Sequence, residues 1–320
     1  MTRDARVRRP KRALGLLGLA AATLVVGSCA SSTDSGQARN SWSTRTSMPT
    51  ERFGLASGVV GNRIYTFGGS NAEAFNVPFV DAYDPSNDSW TSRAELPTRR
   101  FDLAAGVSGG IIYAIGGDTD TGWVNTVEAY NPALDSWSAK APMPSERFGM
   151  GVGEIGGILY SVGGVHDNIV LDAVDAYNPA TNSWTPKAAM PTARVDVAGG
   201  VVNGILYAIG GYDGTNVLST VEAYNPSTNS WSTRASMPTA RFALTIGVID
   251  GVLYAVGGTT IAGSVNAVEA YNPATNTWTS KASLPEPRAY LTSAVVHGSL
   301  YAISGENVGP AVSTVEVYVP

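Results

Sequence analysis

Two aspartates, Asp102 and Asp196, have a type and a spacing that could support acid–base chemistry. Each follows a repeated arginine by two residues, so both carboxylates occupy the same position in two copies of one pattern. Such a pair could act as general acid and general base, or bind a cation. The carboxylates could instead bond to loop amides or pair with the neighbouring arginines, and both interpretations stay open.

An arginine opens each of six copies of this pattern. A ring of guanidinium groups could bind carboxylates or phosphates through paired hydrogen bonds. Each arginine could equally form a structural ion pair with the acid that recurs in its own copy, and presence in every copy favours that role. The arginines are candidate binding residues all the same: Arg52, Arg100, Arg147, Arg194, Arg241 and Arg288. The recurring acids are Asp81, Glu128, Asp175, Glu222, Glu269 and Glu316.

Aromatic and imidazole side chains mark positions at which the copies differ. A binding site on a repeat protein must use such positions, because a ligand pocket is not six-fold symmetric. Trp123 is the one tryptophan outside the repeat, and it either anchors its own loop or contacts a partner. The candidate binding residues of this kind are Trp123, His166, Tyr212 and Tyr290.

Metal and cofactor chemistry has little support in the sequence. His166 and His297 are the only histidines and Cys29 is the only cysteine, so we expect no metal cluster of His and Cys. Neither a glycine-rich phosphate loop nor a nucleophile elbow occurs. We therefore expect no metal and no cofactor.

The elements that position these residues follow from a period of 47 residues. A tyrosine recurs at that interval, preceded by a glycine pair and followed seven residues later by a tryptophan; the tyrosines are Tyr83, Tyr130, Tyr177, Tyr224, Tyr271 and Tyr318. In one copy, the pattern predicts strands at 195–202, 205–209, 220–224 and 230–234, with turns between them. Four short antiparallel strands at this interval predict one propeller blade per copy.

The two ends of the chain predict how the propeller closes. The sixth copy ends after Tyr318 without its tryptophan strand, whereas residues 41–45 form such a strand with no copy before it. Joining the two removes an unmatched blade edge. We therefore predict an all-β fold over residues 41–320: a six-bladed β-propeller of four-stranded antiparallel blades, with the last blade closed by the N-terminal strand.

The repeated motif resembles the kelch repeat. Its parts are Gly-Gly, Glu-x-Tyr-Asn-Pro, Trp, and Met-Pro-x-x-Arg, and they extend over residues 41–320. The departures are small: Asp81 and Asp175 replace Glu, Ser304 replaces the first Gly, and Leu96 and Leu284 replace Met. Kelch domains commonly serve as interaction scaffolds, so the resemblance implies a binding module for a protein or glycan partner.

The resemblance also implies an enzyme as the alternative. Six-bladed kelch proteins that act on sialic acid, similar to mutarotases, form an envelope enzyme class. Arginines and carboxylates at the mouth of a central channel would suit anomeric proton transfer. Copper-radical galactose oxidases also carry kelch propellers, but residues 41–320 cannot assemble the Cys, His and Tyr ligands that their chemistry requires.

Two sets of loops share one face of the predicted propeller, here called the loop face. These are the b–c loops, between the second and third strands of a blade, and the d–a loops, which join one blade to the next. Both sets vary among copies, whereas the turns of the opposite face are nearly uniform. Recognition usually lies on variable loops carried by a rigid scaffold, so we expect the site on the loop face.

The N-terminus predicts export. Residues 1–28 combine a basic start with an apolar run, as in a signal peptide, and the segment before Cys29 resembles the lipobox of bacterial lipoproteins. Residues 29–40 are small and polar, which predicts a flexible tether. We expect a lipidated Cys29 to be the one membrane contact and to hold the protein at the cell envelope, on its periplasmic or extracellular side.

Charge argues against a nucleic-acid partner. The chain has 21 basic and 26 acidic side chains, and residues 1–28 hold six of the bases but only one of the acids. The rest of the chain is therefore acidic. Bulk charge would not attract it to phosphate backbones or to anionic membranes.

Overall fold

The computed structural model describes residues 39–307 and 309–320, so the predicted signal peptide, Cys29 and most of the predicted tether lie outside the described residues. Six four-stranded antiparallel sheets make up the blades, and their inner strands contact one another in a closed cycle. This confirms the predicted six-bladed β-propeller. The strands of each blade are lettered a to d from the axis outward.

The strands follow the blades in chain order. The first is β1 (Ser41–Arg45). Blade 1 has β2 (Ala56–Val60), β3 (Arg63–Phe67), β4 (Val80–Asp84) and β5 (Ser89–Ser92). Blade 2 has β6 (Ala104–Ser108), β7 (Ile111–Ile115), the short β8 (Asp118–Thr119) and β9 (Gly122–Trp123), β10 (Val127–Asn131) and β11 (Ser136–Lys140). Blade 3 has β12 (Gly151–Ile155), β13 (Ile158–Val162), the short β14 (Val165–His166) and β15 (Ile169–Val170), β16 (Val174–Asn178) and β17 (Ser183–Pro186).

The second half repeats this arrangement. Blade 4 has β18 (Ala198–Val202), β19 (Ile205–Ile209), β20 (Val221–Asn225) and β21 (Ser230–Thr233). Blade 5 has β22 (Thr245–Ile249), β23 (Val252–Val256), the short β24 (Thr259–Thr260) and β25 (Gly263–Ser264), β26 (Val268–Asn272) and β27 (Thr277–Ser280). Blade 6 has β28 (Thr292–Val296), β29 (Ser299–Ile303) and β30 (Val315–Val319), and β1 is its fourth strand.

The N-terminal strand closes blade 6 as predicted. Strand β1 pairs antiparallel with β30, and Trp42 lies opposite Tyr318. Asn40, which the sequence pattern assigns to the tether, packs on the same seam. Its side-chain oxygen accepts hydrogen bonds from the Tyr318 hydroxyl at 2.8 Å and from the Ala282 amide at 2.9 Å.

Inner strand a is shorter than the sequence predicts in blade 4. It begins at Ala198 rather than at Val195. Val195 pairs instead with Tyr212 in the b–c loop, and Asp196 adopts a positive φ of 52°, which turns the chain away from the sheet. The residues before strand a therefore belong to the loop face rather than to the blade.

The blades pack closely because small residues line the axis and large ones fill the gaps farther out. A Cβ atom at Gly199 would lie 2.8 Å from the backbone of Val152 in the preceding blade, so glycine is required there. Farther out, the buried Tyr130 ring contacts Tyr65 of the preceding blade at a centroid distance of 5.7 Å. At the outer seam, Trp137 donates its indole N–H to the Ala94 carbonyl at 2.9 Å.

Candidate functional site

Six residues around the axis form a closed ring of backbone hydrogen bonds on the loop face. Each lies two residues after a repeated arginine, and its amide donates to the carbonyl of the equivalent residue in the preceding blade at 2.7–3.1 Å. All six have φ angles between 48° and 66°. The members of this inner ring are Gly54, Asp102, Gly149, Asp196, Ala243 and Tyr290.

Two further rings surround the inner ring. The residue before each inner-ring member forms an antiparallel bridge with a residue at the start of the b–c loop of the same blade. The middle ring consists of Phe53, Phe101, Phe148, Val195, Phe242 and Ala289. The outer ring consists of Ser70, Asp118, Val165, Tyr212, Thr259 and Glu306. Backbone pairing therefore holds the centre of the loop face in place.

Four inner-ring residues are not glycine, although the left-handed backbone favours glycine. This region costs an ordinary residue about 1–2 kcal/mol, and Asp tolerates it better than bulky residues do. Tyr290, with a φ of 52°, therefore occupies a strained position that glycine fills in blade 1 at Gly54. A bulky side chain kept at such a position is consistent with a functional role for that side chain.

The inner ring surrounds a shallow depression of about 100 Å³, here called the mouth. Two carboxylates, Asp102 and Asp196, line it together with the Tyr290 hydroxyl, which donates to Asp196 at 3.2 Å. Asp102 is buried, and Asp196 and Tyr290 are half-buried. The apolar part of the lining is Leu55, Leu103, Met150, Val197, Leu244 and Leu291. The structure thus brings three of the predicted site residues together.

Glycine in the preceding blade makes room for each carboxylate. A Cβ atom at Gly54 would lie 2.5 Å from Oδ1 of Asp102, and one at Gly149 would lie 2.7 Å from Oδ1 of Asp196. Both distances are shorter than a van der Waals contact. Each glycine therefore leaves the space that the aspartate of the following blade occupies, and a side chain at either glycine would displace the carboxylate beside it.

The six repeated arginines point into the blades instead of toward the mouth. Each is 0% exposed and pairs with the recurring acid of its own blade. The distances are 2.6 Å for Arg52–Asp81, 3.2 Å for Arg100–Glu128, 2.6 Å for Arg194–Glu222 and 2.8 Å for Arg241–Glu269, and Arg147–Asp175 and Arg288–Glu316 are paired in the same way.

The buried arginines stay charged at neutral pH. Burial lowers the pKa of Arg52 to about 10, and the charge of Asp81 opposes this shift. Arg194 also donates to the carbonyls of Gly210 and Thr220, each at 3.0 Å. In this arrangement the guanidinium groups join the d–a loop, just before strand a, to the start of strand c. They are out of reach of a ligand on the surface, so they do not form a guanidinium ring at the mouth, and their contacts are those of the ion-pair interpretation that the sequence favoured.

An aromatic run leads from a loop tip to the mouth. Phe75, in the b–c loop of blade 1, contacts Phe101 at a centroid distance of 5.1 Å. Phe101 contacts Phe53 at 6.3 Å, and Phe53 contacts Tyr290 at 6.4 Å. These edge-to-face contacts link two of the variable b–c and d–a loops to the inner ring.

The remaining predicted site residues lie farther from the axis and anchor loops. Trp123 is half-buried and packs on Phe148 of the next blade at 5.2 Å. Tyr212 packs on Phe242 at 5.8 Å, and its hydroxyl donates to the carbonyl of Gly214 at 2.9 Å. These contacts are those of loop anchors, although both side chains remain partly exposed.

His166 contacts the d–a loop that leads into its own blade. Its Nδ1 lies 2.9 Å from the Glu146 carbonyl. Strands β14 and β15, which carry His166, form one of three two-stranded ribbons in the b–c loops. Such ribbons are too short for the sequence pattern to predict, and they give these loops a defined shape.

Apolar loop tips are functional candidates that the sequence analysis did not single out. Ile169 is 64% exposed and Ile261 is 97% exposed, and both lie in b–c loops. The sequence signal for them is an isoleucine that directly follows a polar residue in a loop, at Asn168–Ile169 and Thr260–Ile261. With Phe75, at 54% exposure, these tips belong to the b–c loops of blades 1, 3 and 5, which alternate around the ring.

The centre of the loop face is anionic. The three rings contain the carboxylates Asp102, Asp196, Asp118 and Glu306, and none of their members is basic. Among the described residues, no group of three or more His, Cys, Asp or Glu is placed to hold a metal ion. In the same part of the chain, no helix is long and apolar enough to cross a membrane.

Comparison with known families identifies the repeat. The kelch motif matches residues 193–238 and 240–285. The kelch-repeats domain described for KLHDC2, KLHL20 and DRC7 matches residues 31–190, which is half of the chain. No curated protein sequence matches this one.

Solved structures share the fold. One that is titled "Structure of YjhT" superimposes with a TM-score of 0.75 at 18% sequence identity, and the match covers 85% of this chain and 96% of that chain. Matching chains number 845, so the fold is too widespread to identify a ligand.

Proposed function

Because the chain belongs to the kelch-repeat family, we propose that it is a binding module whose loop face holds a protein or glycan partner. The observation that carries the proposal is the aromatic run from the exposed tip at Phe75 to Tyr290 at the mouth, together with the exposed apolar tips Ile169 and Ile261 on the same face. Exposed apolar side chains grouped on one face are typical of interaction sites, and aromatic residues contribute strongly to binding energy.

The rigidity of the loop face supports the same proposal. The inner ring is closed by backbone hydrogen bonds, and aromatic contacts fix Trp123 and Tyr212 on neighbouring blades. A surface that is already ordered loses little conformational entropy when a partner binds. Less of the interaction energy is then spent on ordering the loops.

A carbohydrate-active enzyme is the second candidate, since Asp102, Asp196 and the Tyr290 hydroxyl meet at the mouth. Two observations favour the binding module over it. The arginines that would hold an acidic sugar are buried in ion pairs. The mouth measures about 100 Å³, whereas ligand pockets typically measure about 300–1,000 Å³.

A pair of photo-crosslinking variants tests which face binds. We would introduce p-benzoylphenylalanine as Ile261→p-benzoylphenylalanine on the loop face and as Leu134→p-benzoylphenylalanine on the opposite face, where Leu134 is 72% exposed. In cells, position 261 should form a discrete adduct that is lost when Phe75→Ala is added. Position 134 should form none. Equal adducts at both positions, or none at 261, would contradict the proposal.

Two further measurements distinguish a glycan ligand and an enzymatic activity from a polypeptide partner. A glycan array on the purified protein distinguishes a sugar ligand from a polypeptide. Loss of turnover of a sugar in Asp102→Asn or Asp196→Asn, with an unchanged fold, would favour the enzyme instead.

We also propose that the propeller is exported and held at the cell envelope by a lipid on Cys29. The support is the sequence of residues 1–29, and the acidic chain that follows has no bulk charge to attract it to an anionic membrane. Cys29→Ser should move the protein from the membrane fraction to the soluble fraction. A variant that stays membrane-bound would show that another anchor exists.

A further inference from the structure

We infer that the partner is a polypeptide that places a lysine or arginine side chain in the mouth, next to Asp102 and Asp196. This inference rests on the proposed binding function and specifies the chemistry of the ligand. It is the opposite of the alternative in which a ring of arginines makes the mouth a site for anions.

Charge is the first argument. The inner ring holds two carboxylates, and the outer ring adds Asp118 and Glu306. The middle ring between them is apolar, so these charges lie on a surface of low polarity where they are screened less than in water. Arg99 lies farther out on the same face, and it pairs with Asp120 at 3.2 Å. The acidic residues around the mouth therefore favour a cationic ligand over an anionic one.

Size is the second argument. The mouth measures about 100 Å³, below the ~300–1,000 Å³ of typical ligand pockets. That volume suits the end of one long side chain and is small for a sugar ring. The apolar lining of Leu55, Leu103 and Met150 offers contact to an aliphatic stem, while the charged end reaches the carboxylates.

The aromatic ring of Tyr290 is the third argument. Tyr290 lines the mouth, and the half-buried Phe53 lies beside it with ring centroids 6.4 Å apart. Lysine and arginine are attracted to aromatic faces, and arginine stacks on them especially well. The Tyr290 ring therefore favours the same class of side chain as the carboxylates do.

The exposed tips indicate a polypeptide rather than a free amine. Phe75, Ile169 and Ile261 belong to three different b–c loops around the mouth. A small amine in the mouth would leave these tips uncovered. A peptide that crosses the face could bury them with the apolar residues on either side of its cation. The acidic centre and the apolar edges of the loop face together favour a polypeptide with a lysine or arginine between apolar residues.

The experiment uses the purified full-length protein and five fluorescent nonapeptides. All carry the same leucine, alanine and serine flanks, and their central residue is lysine, arginine, norleucine, acetyl-lysine or glutamate. Norleucine and acetyl-lysine keep the aliphatic stem without the charge. Dissociation constants are measured by fluorescence anisotropy at two salt concentrations, for the wild type, for Asp102→Asn/Asp196→Asn and for Asp250→Asn.

Asp250→Asn is the matched control. Asp250 is an exposed carboxylate in a turn of the opposite face, and asparagine accepts its positive φ of 48°. The lysine and arginine peptides should bind the wild type and Asp250→Asn at least ~10-fold more tightly than the uncharged peptides, and more weakly at high salt. The double variant should lose this preference while its melting temperature shows that the fold is intact.

Two outcomes would overturn the inference. One is binding that does not depend on the charge of the central residue, including the absence of binding by any peptide. The other is a lysine preference that survives in Asp102→Asn/Asp196→Asn. The crosslinking comparison of positions 261 and 134 does not depend on these peptides. The binding function can therefore stand even where the cation inference fails.

Discussion

The hydroxyl of Tyr290 donates a hydrogen bond of 3.2 Å to the carboxylate of Asp196, although the two residues belong to blades that are not neighbours in the ring. The closed cycle of backbone hydrogen bonds brings them together. Tyr290 keeps a left-handed backbone to reach this position, at a cost of about 1–2 kcal/mol. At the mouth, polar side chains from blades that are not neighbours therefore meet.

The first prediction concerns the glycine that makes room for Asp102. A Cβ atom at Gly54 (φ +61°) would lie 2.5 Å from the Asp102 carboxylate, whereas one at Gly61 (φ +57°) would meet nothing within 4 Å. Gly61→Ala should therefore lower the free energy of unfolding only by the strain of placing alanine at a positive φ, about 1 kcal/mol. Gly54→Ala should cost about 1–3 kcal/mol more, because the carboxylate must move.

Urea unfolding of both variants measures the difference. Because the backbone angles are alike, the two substitutions separate backbone strain from contact with the carboxylate. Equal losses of stability at Gly54 and Gly61 would show that the Asp102 side chain lies elsewhere.

The second prediction concerns the buried arginines. Arg194→Met should reduce the free energy of unfolding by about 3–5 kcal/mol, because it leaves Glu222 buried without its cation. Adding Glu222→Gln should recover part of the loss, since the amide is neutral. Arg99→Met is the matched control, because Arg99 is exposed and its removal should change stability by no more than about 0.5 kcal/mol.

Chemical denaturation of the three variants is the measurement. A tolerated Arg194→Met would mean that the ion pair contributes little and that the arginines are available for another role. A loss that Glu222→Gln does not reduce would mean that packing, rather than charge, explains the effect.

The fold could be predicted because its information is repeated and local. Each Tyr–Trp pair and each turn lies within one 47-residue copy, and Trp42 had one possible partner because only the sixth copy lacks an outer strand. The predicted pairing of Trp42 with Tyr318 is therefore confirmed.

The candidate site was less predictable because it depends on contacts between copies. Sequence spacing suggested the Arg194–Glu222 pair but left open whether the Arg194 side chain points into its blade or toward the mouth, since this direction depends on how close strand c lies behind it. Tyr290 and Asp196 are far apart in the chain, and only the closed ring brings them into contact. The sequence identified which side chains lie on the loop face, but it did not identify which of them contact one another.

The third prediction concerns acid stability at an outer seam. The Asp135 carboxylate accepts hydrogen bonds from the Tyr130 hydroxyl at 2.5 Å and from the Ala94 amide of the preceding blade at 2.9 Å. These bonds lower the pKa of Asp135 below its usual value, and the bond from Tyr130 is the largest cause. Since the folded pKa is lower than the unfolded pKa of about 4, Asp135 stabilises the fold above that pH. Its contribution is lost as the pH falls through the folded pKa.

Blade 3 supplies the matched residue for this prediction. Asn182 accepts the same two hydrogen bonds, from Tyr177 and from the Ala141 amide, without a charge. Asp135→Asn should make stability less dependent on pH in acid, and Asn182→Asp should make it more dependent. Denaturation midpoints measured between about pH 6 and about pH 2.5 give the slope of stability against pH for each variant. If the slope of stability against pH is unchanged in both variants, Asp135 does not contribute to acid unfolding.

The last prediction concerns the closure of the ring. Trp42 donates its indole N–H to the Ala282 carbonyl at 2.8 Å, and Trp184 donates to the Ala141 carbonyl at 3.0 Å. Both indoles are half-buried, so each replacement by alanine should lower the free energy of unfolding by about 3 kcal/mol, the low end of the range for large core residues.

The two variants should nevertheless unfold differently. Among the described residues, β1 is joined to the rest of the propeller by the chain on its C-terminal side only. Trp42→Ala should therefore release it and expose the edge of β30, whereas Trp184→Ala leaves its strand joined to the chain on both sides. Hydrogen exchange at the β30 amides should therefore accelerate in Trp42→Ala at temperatures below the main transition, and it should stay slow in Trp184→Ala. Exchange that is equally slow in both variants would mean that blade 6 is stable without its N-terminal strand and that closure by β1 does not hold the propeller together.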